Sequence, residues 1–154
     1  MRIIFVLIAL LASTQIVTAQ EREWTLNSSD KEAFLVFGVP DTDDVGLSFW
    51  CEIGTNKVSL FVNNGPAQLK ENQIVTMAVA VDDKKFSVKA KAAIDKNSGL
   101  PSLEGKISIT DPLLKTAPTG NTLKVTISGH INTYPLIDAD FIGLLRTCAG
   151  DMVN

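Results

Sequence analysis

Cys51 and Cys148, the single histidine His130, and the three carboxylates of Asp41, Asp43 and Asp44 are the side chains whose types and spacing could support chemistry. Two thiols can form a disulfide, a redox couple or part of a metal site. The pair lacks the C-x-x-C spacing that lowers a thiol pKa and the C-x-x-C-H signature of haem attachment. A zinc site of the usual kind needs more His or free Cys than this chain has. His130 as a general base would need a nucleophile placed beside it, and no such partner is evident in the pattern. Asp41-Thr42-Asp43-Asp44 offers hard oxygen donors suited to calcium, but not in the twelve-residue EF-hand pattern. Paired carboxylates could also serve a glycosidase, depending on their separation. The expected state of this loop is a solvated turn in which one acid accepts a backbone hydrogen bond. No catalytic residue, resident metal or cofactor is therefore expected, and whether the Asp41–Asp44 loop takes a cation is left open.

Binding side chains are easier to nominate. Lys85, Lys89 and Lys91 share one parity of an alternating run, and Lys106 and Lys124 lie on the polar parity of two others. Such a face could meet an anionic envelope polymer or a lipid headgroup, or serve as a charged outer surface that blocks edge pairing. Trp50 and Phe61 fall opposite the core parity of their strands, so each is either an exposed aromatic or covered by another layer. The possible binding set is Asp41, Asp43, Asp44, Trp50, Lys89, Lys91 and His130. Asn27-Ser28-Ser29 also fits the N-glycosylation acceptor pattern.

The elements that would carry these residues alternate with period two. Val45, Leu47, Phe49, Cys51 and Ile53 fall on one face of a strand, with the Cys directed at the core. Similar runs are Val58 to Val62, Phe86 to Ile94, Leu103 to Ile109 and Leu123 to Ile131, the last placing His130 on its polar face. Ile74 to Val81 is apolar on both parities and reads as a strand buried on both sides. Glu23 to Leu26 and Phe34 to Val39 complete about eight strands. The connections contain Gly54-Thr55-Asn56, Asn63-Asn64-Gly65-Pro66, Asp82-Asp83, Asn97-Ser98-Gly99 and the Asp111 to Asn121 stretch, all rich in turn formers. Near the end the period becomes helical. Phe141, Leu144, Leu145 and Cys148 share one face of a helix over about 138–148, with Asp138 as its cap. Gly143 falls inside it at a cost of about 1 kcal/mol relative to Ala, and Ala149 to Asn154 read as a frayed tail. Cys51 and Cys148 thus point inward from separate elements, and a disulfide between them would pin the helix to the sheet.

Residues 1–19 stand apart. Arg2, the apolar run Ile3 to Ala12 and the Val17-Thr18-Ala19 exit predict a secretory signal peptide, leaving residues 20–154 as one β-rich domain. The run is about half the roughly 20 residues a membrane-spanning helix needs, so no transmembrane anchor is expected after cleavage, and the lack of a Cys after the cleavage region argues against a diacylated one. The chain of 154 residues has 14 Lys+Arg against 17 Asp+Glu, which argues against a polybasic nucleic-acid binder.

Trp24, the Asp-rich loop before Leu47-Ser48-Phe49-Trp50-Cys51, Ile127-Ser128-Gly129 and the closing Leu144-Leu145-Arg146-Thr147-Cys148 together resemble small bacterial periplasmic single-disulfide proteins. The pattern is similar to that of the type VI secretion-associated TagO/VasI group. The resemblance implies an envelope location and a disulfide, and it transfers no catalytic residue. The expected fold is all-β, an antiparallel β-sandwich or flattened barrel with a short C-terminal helix. The expected function is a non-enzymatic binding or accessory role, periplasmic or secreted, toward an unknown envelope protein or glycan. The alternatives are a small enzyme acting on envelope polymers through carboxylates and an inhibitor of a secreted hydrolase.

Overall fold

The computed structural model describes residues 21–150; the expected signal peptide, and 151–154 of the expected tail, lie outside them. The described residues form a nine-stranded antiparallel sheet, curled into a half-barrel, with two short α-helices. The strands are β1 (Glu23–Ser28), β2 (Glu32–Gly38), β3 (Val45–Glu52), β4 (Lys57–Val62), β5 (Ile74–Val81), β6 (Lys84–Ile94), β7 (Pro101–Ser108), β8 (Thr122–Ile127) and β9 (His130–Pro135). Helix α1 spans Pro112–Thr116 and α2 spans Phe141–Ala149. The spatial order is β1-β2-β3-β4-β7-β6-β5-β8-β9. The first four strands form a meander. The chain then skips two positions to β5, returns through β6 and β7 to pair with β4, and crosses again to place β8 beside β5.

Alternation decides which side chains enter the core. Leu35, Leu47, Phe49, Leu60, Met77, Leu103 and Leu123 are buried on the concave face, each flanked in sequence by more exposed neighbours. The curl brings inner side chains close together, and β6 and β7 meet this with small residues. Ala90 and Ala92 face inward beside Gly105, where a Cβ would lie 2.5 Å from Val88 Cγ1 and 2.9 Å from the Lys89 carbonyl oxygen. The two sheet edges are linked by a side chain. Trp24 on β1 packs against Phe37 and Phe49 and donates its indole N–H to the Pro135 carbonyl at the end of β9.

Helix α2 fills the mouth of the curl. Phe141, Leu144 and Cys148 are buried, and Phe141 meets Phe49 edge-on at 4.9 Å between ring centroids. The Cys51–Cys148 disulfide ties this helix to β3 with a Cα–Cα distance of 5.8 Å, as the parity of both cysteines predicts. A second link joins the same places, where the Gly54 N–H donates to the Cys148 carbonyl at 2.9 Å. The helix begins later than expected. Asp138 has φ +64° inside a turn closed by the Ala139 N–H to the Leu136 carbonyl, and Asp140 is the cap, accepting from the Gly143 N–H at 2.7 Å. Gly143 therefore belongs to the first turn, and a Cβ there would strike both the Asp140 carboxylate and Leu26. At the other end Ala149 is helical, and Gly150 caps it in the left-handed conformation, where the expected tail would already have frayed.

Three further expectations change. The Leu123 to Ile131 run is two strands, because Ser128 and Gly129 both take positive φ and make a two-residue hairpin turn. The Asp111 to Asn121 stretch contains α1, capped by the Asp111 carboxylate on the Leu113 N–H with Pro112 in the first turn, so that Leu113 and Leu114 enter the core. Strand β5 is buried on one face only. Met77, Val79 and Val81 point inward, whereas Ile74, Thr76 and Ala78 are exposed because no second layer among the described residues covers the convex side.

Asp82, between β5 and β6, fastens the start of β8. Its carboxylate accepts from the Asn121 and Thr122 N–H groups and the Thr122 hydroxyl at 3.0–3.2 Å. These bonds, the Asn121 N–H foremost, hold its pKa below the ordinary 3.8. A lowered folded pKa means that the stabilisation is complete above the unfolded pKa and is lost as pH falls through the folded one. Asp82→Asn retains one acceptor oxygen and tolerates the local φ of +50°. The variant is expected to melt below the wild type at neutral pH, with the gap closing as pH falls below 3.8 and the wild-type carboxyl protonates. Melting curves at matched pH values check this; a gap independent of pH would assign the effect to packing instead.

Candidate functional site

Among the described residues the sheet has a filled inner face and a bare outer face, so the candidate residues sort by strand parity. Trp50 is half-buried on the outer face and stacks on Phe34 of the neighbouring strand, with ring centroids 6.1 Å apart and planes 17° apart. Among the described residues neither a second layer nor α2 covers it, since α2 lies against the concave side. Beside it a shallow depression of about 280 Å³ is lined by Trp50, Cys51, Glu52, Thr55, Lys57, Ser59 and Lys106. Phe61, also half-buried, stands further along β4 opposite Ser48.

Lys89 and Lys91 on β6 line a second depression, of about 340 Å³, with Lys106 and Glu104 of β7 and Ile74 of β5. The crossover makes this possible, because β7 returns between β4 and β6 and carries Lys106 to a place bordering both depressions. Glu104, the carboxylate in the lysine group, accepts from the Ser59 hydroxyl at 2.7 Å. Lys85 and Lys124 lie on the same outer parity, both paired to Ala80 of β5 from its two sides.

The acidic loop does not gather its carboxylates at one point. Asp44 is held by Arg22, with Nη2 2.6 Å from Oδ1 and Nε 3.3 Å from Oδ2, in a half-exposed pair of the kind worth at most about 1 kcal/mol. Asp41 takes a φ of +58° and lies on the other side of the loop, in a groove with Thr25, Asn27 and Val36. Thr42 organises the turn, its hydroxyl donating to the Val39 carbonyl and accepting from the Asp44 N–H. Among the described residues, no group of three or more His, Cys, Asp or Glu side chains is arranged to hold a metal ion.

Asp43 and Asp44 do border a cleft of about 630 Å³, whose far wall is the β6–β7 hairpin and whose side holds Phe61, Asn63 and Asn64. Most of its polar groups already have structural bonds. Asn63 donates to the Val45 carbonyl, and Asp95 accepts from the Ser98 N–H and hydroxyl and the Asn97 N–H. The Ser98 N–H, the largest of these influences, draws the Asp95 pKa down. A general acid requires a shift in the opposite direction.

His130 opens β9 opposite Ile127 and shares the inward parity of Tyr134, contrary to the expected polar face, because the Ser128-Gly129 turn reverses the alternation. It remains exposed at the turn and approaches none of the other candidates in the clefts described. Pattern reading found Trp50, Lys89, Lys91 and Lys106 separately. It missed Ser59, Ile74 and Glu104, which stand opposite Trp50 and Lys91 in hairpin pairs, and the crossover pairing of β4 with β7 that sets Ser59 beside Lys106. The chain matches no protein-family model, and comparison with curated proteins and with solved structures gives no significant match.

Proposed function

We propose that this chain is an exported, non-enzymatic binding or accessory protein of the cell envelope, and that the outer face of the sheet is its working surface. The observation that carries the reading is the position of Lys106, which joins the Trp50 depression to the Lys89–Lys91 depression across strands that no other layer of the described residues covers. Export is supported by the disulfide, because such bonds persist in oxidising compartments, and by the signal-like residues 1–19. Among the described residues no helix is long and apolar enough to cross a membrane. The resemblance to the TagO/VasI group favours the same envelope setting, and service to a secretion system is not part of the proposal.

The enzyme reading draws on the cleft beside Asp43 and Asp44. It is the weaker one because Asp44 is paired with Arg22 and Asp95 is occupied by its turn, which leaves Asp43 without a second free carboxylate on the pattern a glycosidase needs. Nothing in the structure favours the inhibitor reading.

The test is cosedimentation of the mature, oxidised protein with washed envelopes of the producing cell. The wild type is expected to sediment, and a Trp50→Ala, Lys106→Glu variant to remain in the supernatant. Equal sedimentation of both would remove the outer face as the working surface, and release of soluble fragments from the envelopes by the wild type would establish the enzyme instead.

A further inference from the structure

We infer that the outer-face depression formed by Lys89, Lys91 and Lys106 binds an anionic polysaccharide, with Trp50 as the platform on which a sugar ring stacks; this rests on the outer face being the working surface. The charges come first. Pairing of Ala90 with Gly105 and of Lys91 with Glu104 sets Lys89 and Lys106 side by side on adjacent strands, and all three lysines border one depression. Like charges facing across a sheet are destabilising. Among the described residues the ion pair is Arg22–Asp44, and none of the three lysines takes part in one. The nearby carboxylate, Glu104, stands opposite Lys91, accepts from Ser59 and offsets one of the three charges, which leaves Lys89 and Lys106 facing each other. The fold thus accepts a repulsion that an anion on the outer face would relieve.

Shape and chemistry narrow the anion. The chain carries a net charge of −3, so the lysine group is a local feature on an acidic protein and is ill suited to a long run of nucleic-acid phosphates. A bilayer presents a plane, whereas this surface is the convex side of a curled sheet, and only part of it could touch a plane at once. A linear polymer can follow the curve. From β3, which bears Trp50, to β6, which bears Lys89 and Lys91, there are three strand spacings, about 14 Å. That is room for a few consecutive sugar rings. Trp50, backed by Phe34, offers a broad flat surface for the C–H face of one ring. Thr55 and Ser59 border the same depression; their hydroxyls donate to the Glu52 carbonyl and the Glu104 carboxylate and keep lone pairs that can accept from sugar hydroxyls. At the lysine end Ile74 is 64% exposed and supplies an apolar contact between charged groups. The acids carried by such a polymer are carboxylates of uronic acids or sulfate esters, which the lysines would engage through the same charge-assisted hydrogen bonds.

The probes are a polyuronate, dextran sulfate, neutral dextran of equal length and vesicles of phosphatidylglycerol, each titrated into the mature, oxidised protein while tryptophan fluorescence is followed. Binding is expected with the polyuronate or dextran sulfate, the stronger of the two identifying the acid group, and absent with neutral dextran. Affinity should fall as salt is raised past physiological strength, where the screening length is about 8 Å. Lys89→Glu with Lys106→Glu should weaken binding at least about ten-fold, since each substitution replaces an attractive contact with a repulsive one. Trp50→Ala should weaken it separately. All the altered side chains are partly or fully exposed, and an unchanged melting temperature would show that the variants keep the fold. Equal binding of neutral dextran, binding of vesicles without binding of either polymer, or full affinity in the charge-reversed variant would overturn the inference. If neither polymer binds while envelopes still retain the wild type and release the Trp50→Ala, Lys106→Glu variant, the polysaccharide falls and the binding surface stands. If the envelopes retain neither protein, both fall.

Discussion

Replacing Cys51 by Ser is expected to lower the melting temperature by on the order of 10 °C, while leaving binding by the remaining folded protein intact. The bridge spans a sequence separation of 97, so its loss frees a large loop in the unfolded chain. Loop closure of this size is worth roughly 4–5 kcal/mol in the entropic picture, and native disulfides commonly deliver about 2–4 kcal/mol. Both sulfurs are buried, at 2% and 1% exposure for Cys51 and Cys148. A reductant should therefore act slowly on the native protein and rapidly once denaturant opens it, and the reduced wild type should melt close to the Ser variant. The measurement is a pair of thermal scans, with binding read separately at a temperature where both proteins are folded. An unchanged midpoint for Cys51→Ser would mean that the bridge is absent or contributes nothing in solution. Retention of binding follows from side-chain direction: Cys51 borders the Trp50 depression but its side chain is buried, and Trp50, Ser59 and Lys106 are carried by the sheet rather than by the helix.

The parts of this architecture legible in the sequence are those governed by neighbours in the chain. Strands announce themselves because adjacent residues see opposite environments, and Leu47, Phe49 and Cys51 fall inward as their alternation requires. The same rule fails where a short turn hides inside the alternation. Between Ile127 and His130 only Ser128 and Gly129 intervene, and a two-residue turn reverses the parity without interrupting the apolar pattern. A small residue followed by glycine was the available signal. Helix α1 had a signal as well, an aspartate directly before a proline, but its five residues are too few for periodicity to register.

The candidate site depends on relations that chain order does not express. Lys106 stands beside Lys89 through the β6–β7 hairpin, but it reaches the Trp50 depression only because β7 also pairs with β4, far from it in the chain. Chain order placed the three aspartates together, yet the turn that Thr42 organises sends Asp41 to one groove and Asp43 and Asp44 to another. Proximity in sequence overstated one cluster and concealed the other. The apolar run Ile74 to Val81 shows a third limit, because an apolar side chain on the outer parity reads as buried until the absence of a covering layer is known.

Phe141→Ala is expected to cost about 3–5 kcal/mol, comparable with the loss of the bridge and a large share of the stability of a domain this size. Phe141 is fully buried and lies 4.9 Å from Phe49 and 5.9 Å from Trp24, centroid to centroid, so its removal leaves a cavity where the helix meets both rings. The two tryptophans make the change readable. Trp24 is 9% exposed and Trp50 half-exposed, so a soluble quencher should reach only Trp50 in the wild type and both in the variant. The combination with Cys51→Ser separates two ways in which the bridge could act. A bridge that works solely by restricting the unfolded chain would give losses that add to within about 0.5 kcal/mol. Here Phe141 and Cys148 are two of the three buried anchors of a nine-residue helix, and both hold it against β3. Once Phe141 is gone, much of the docking energy that the bridge protects is gone as well. The double variant is therefore expected to lose less than the sum of the single losses by more than about 0.5 kcal/mol. Strict additivity in denaturant melts would show that the disulfide acts on the unfolded chain alone, and that α2 is held by its own packing.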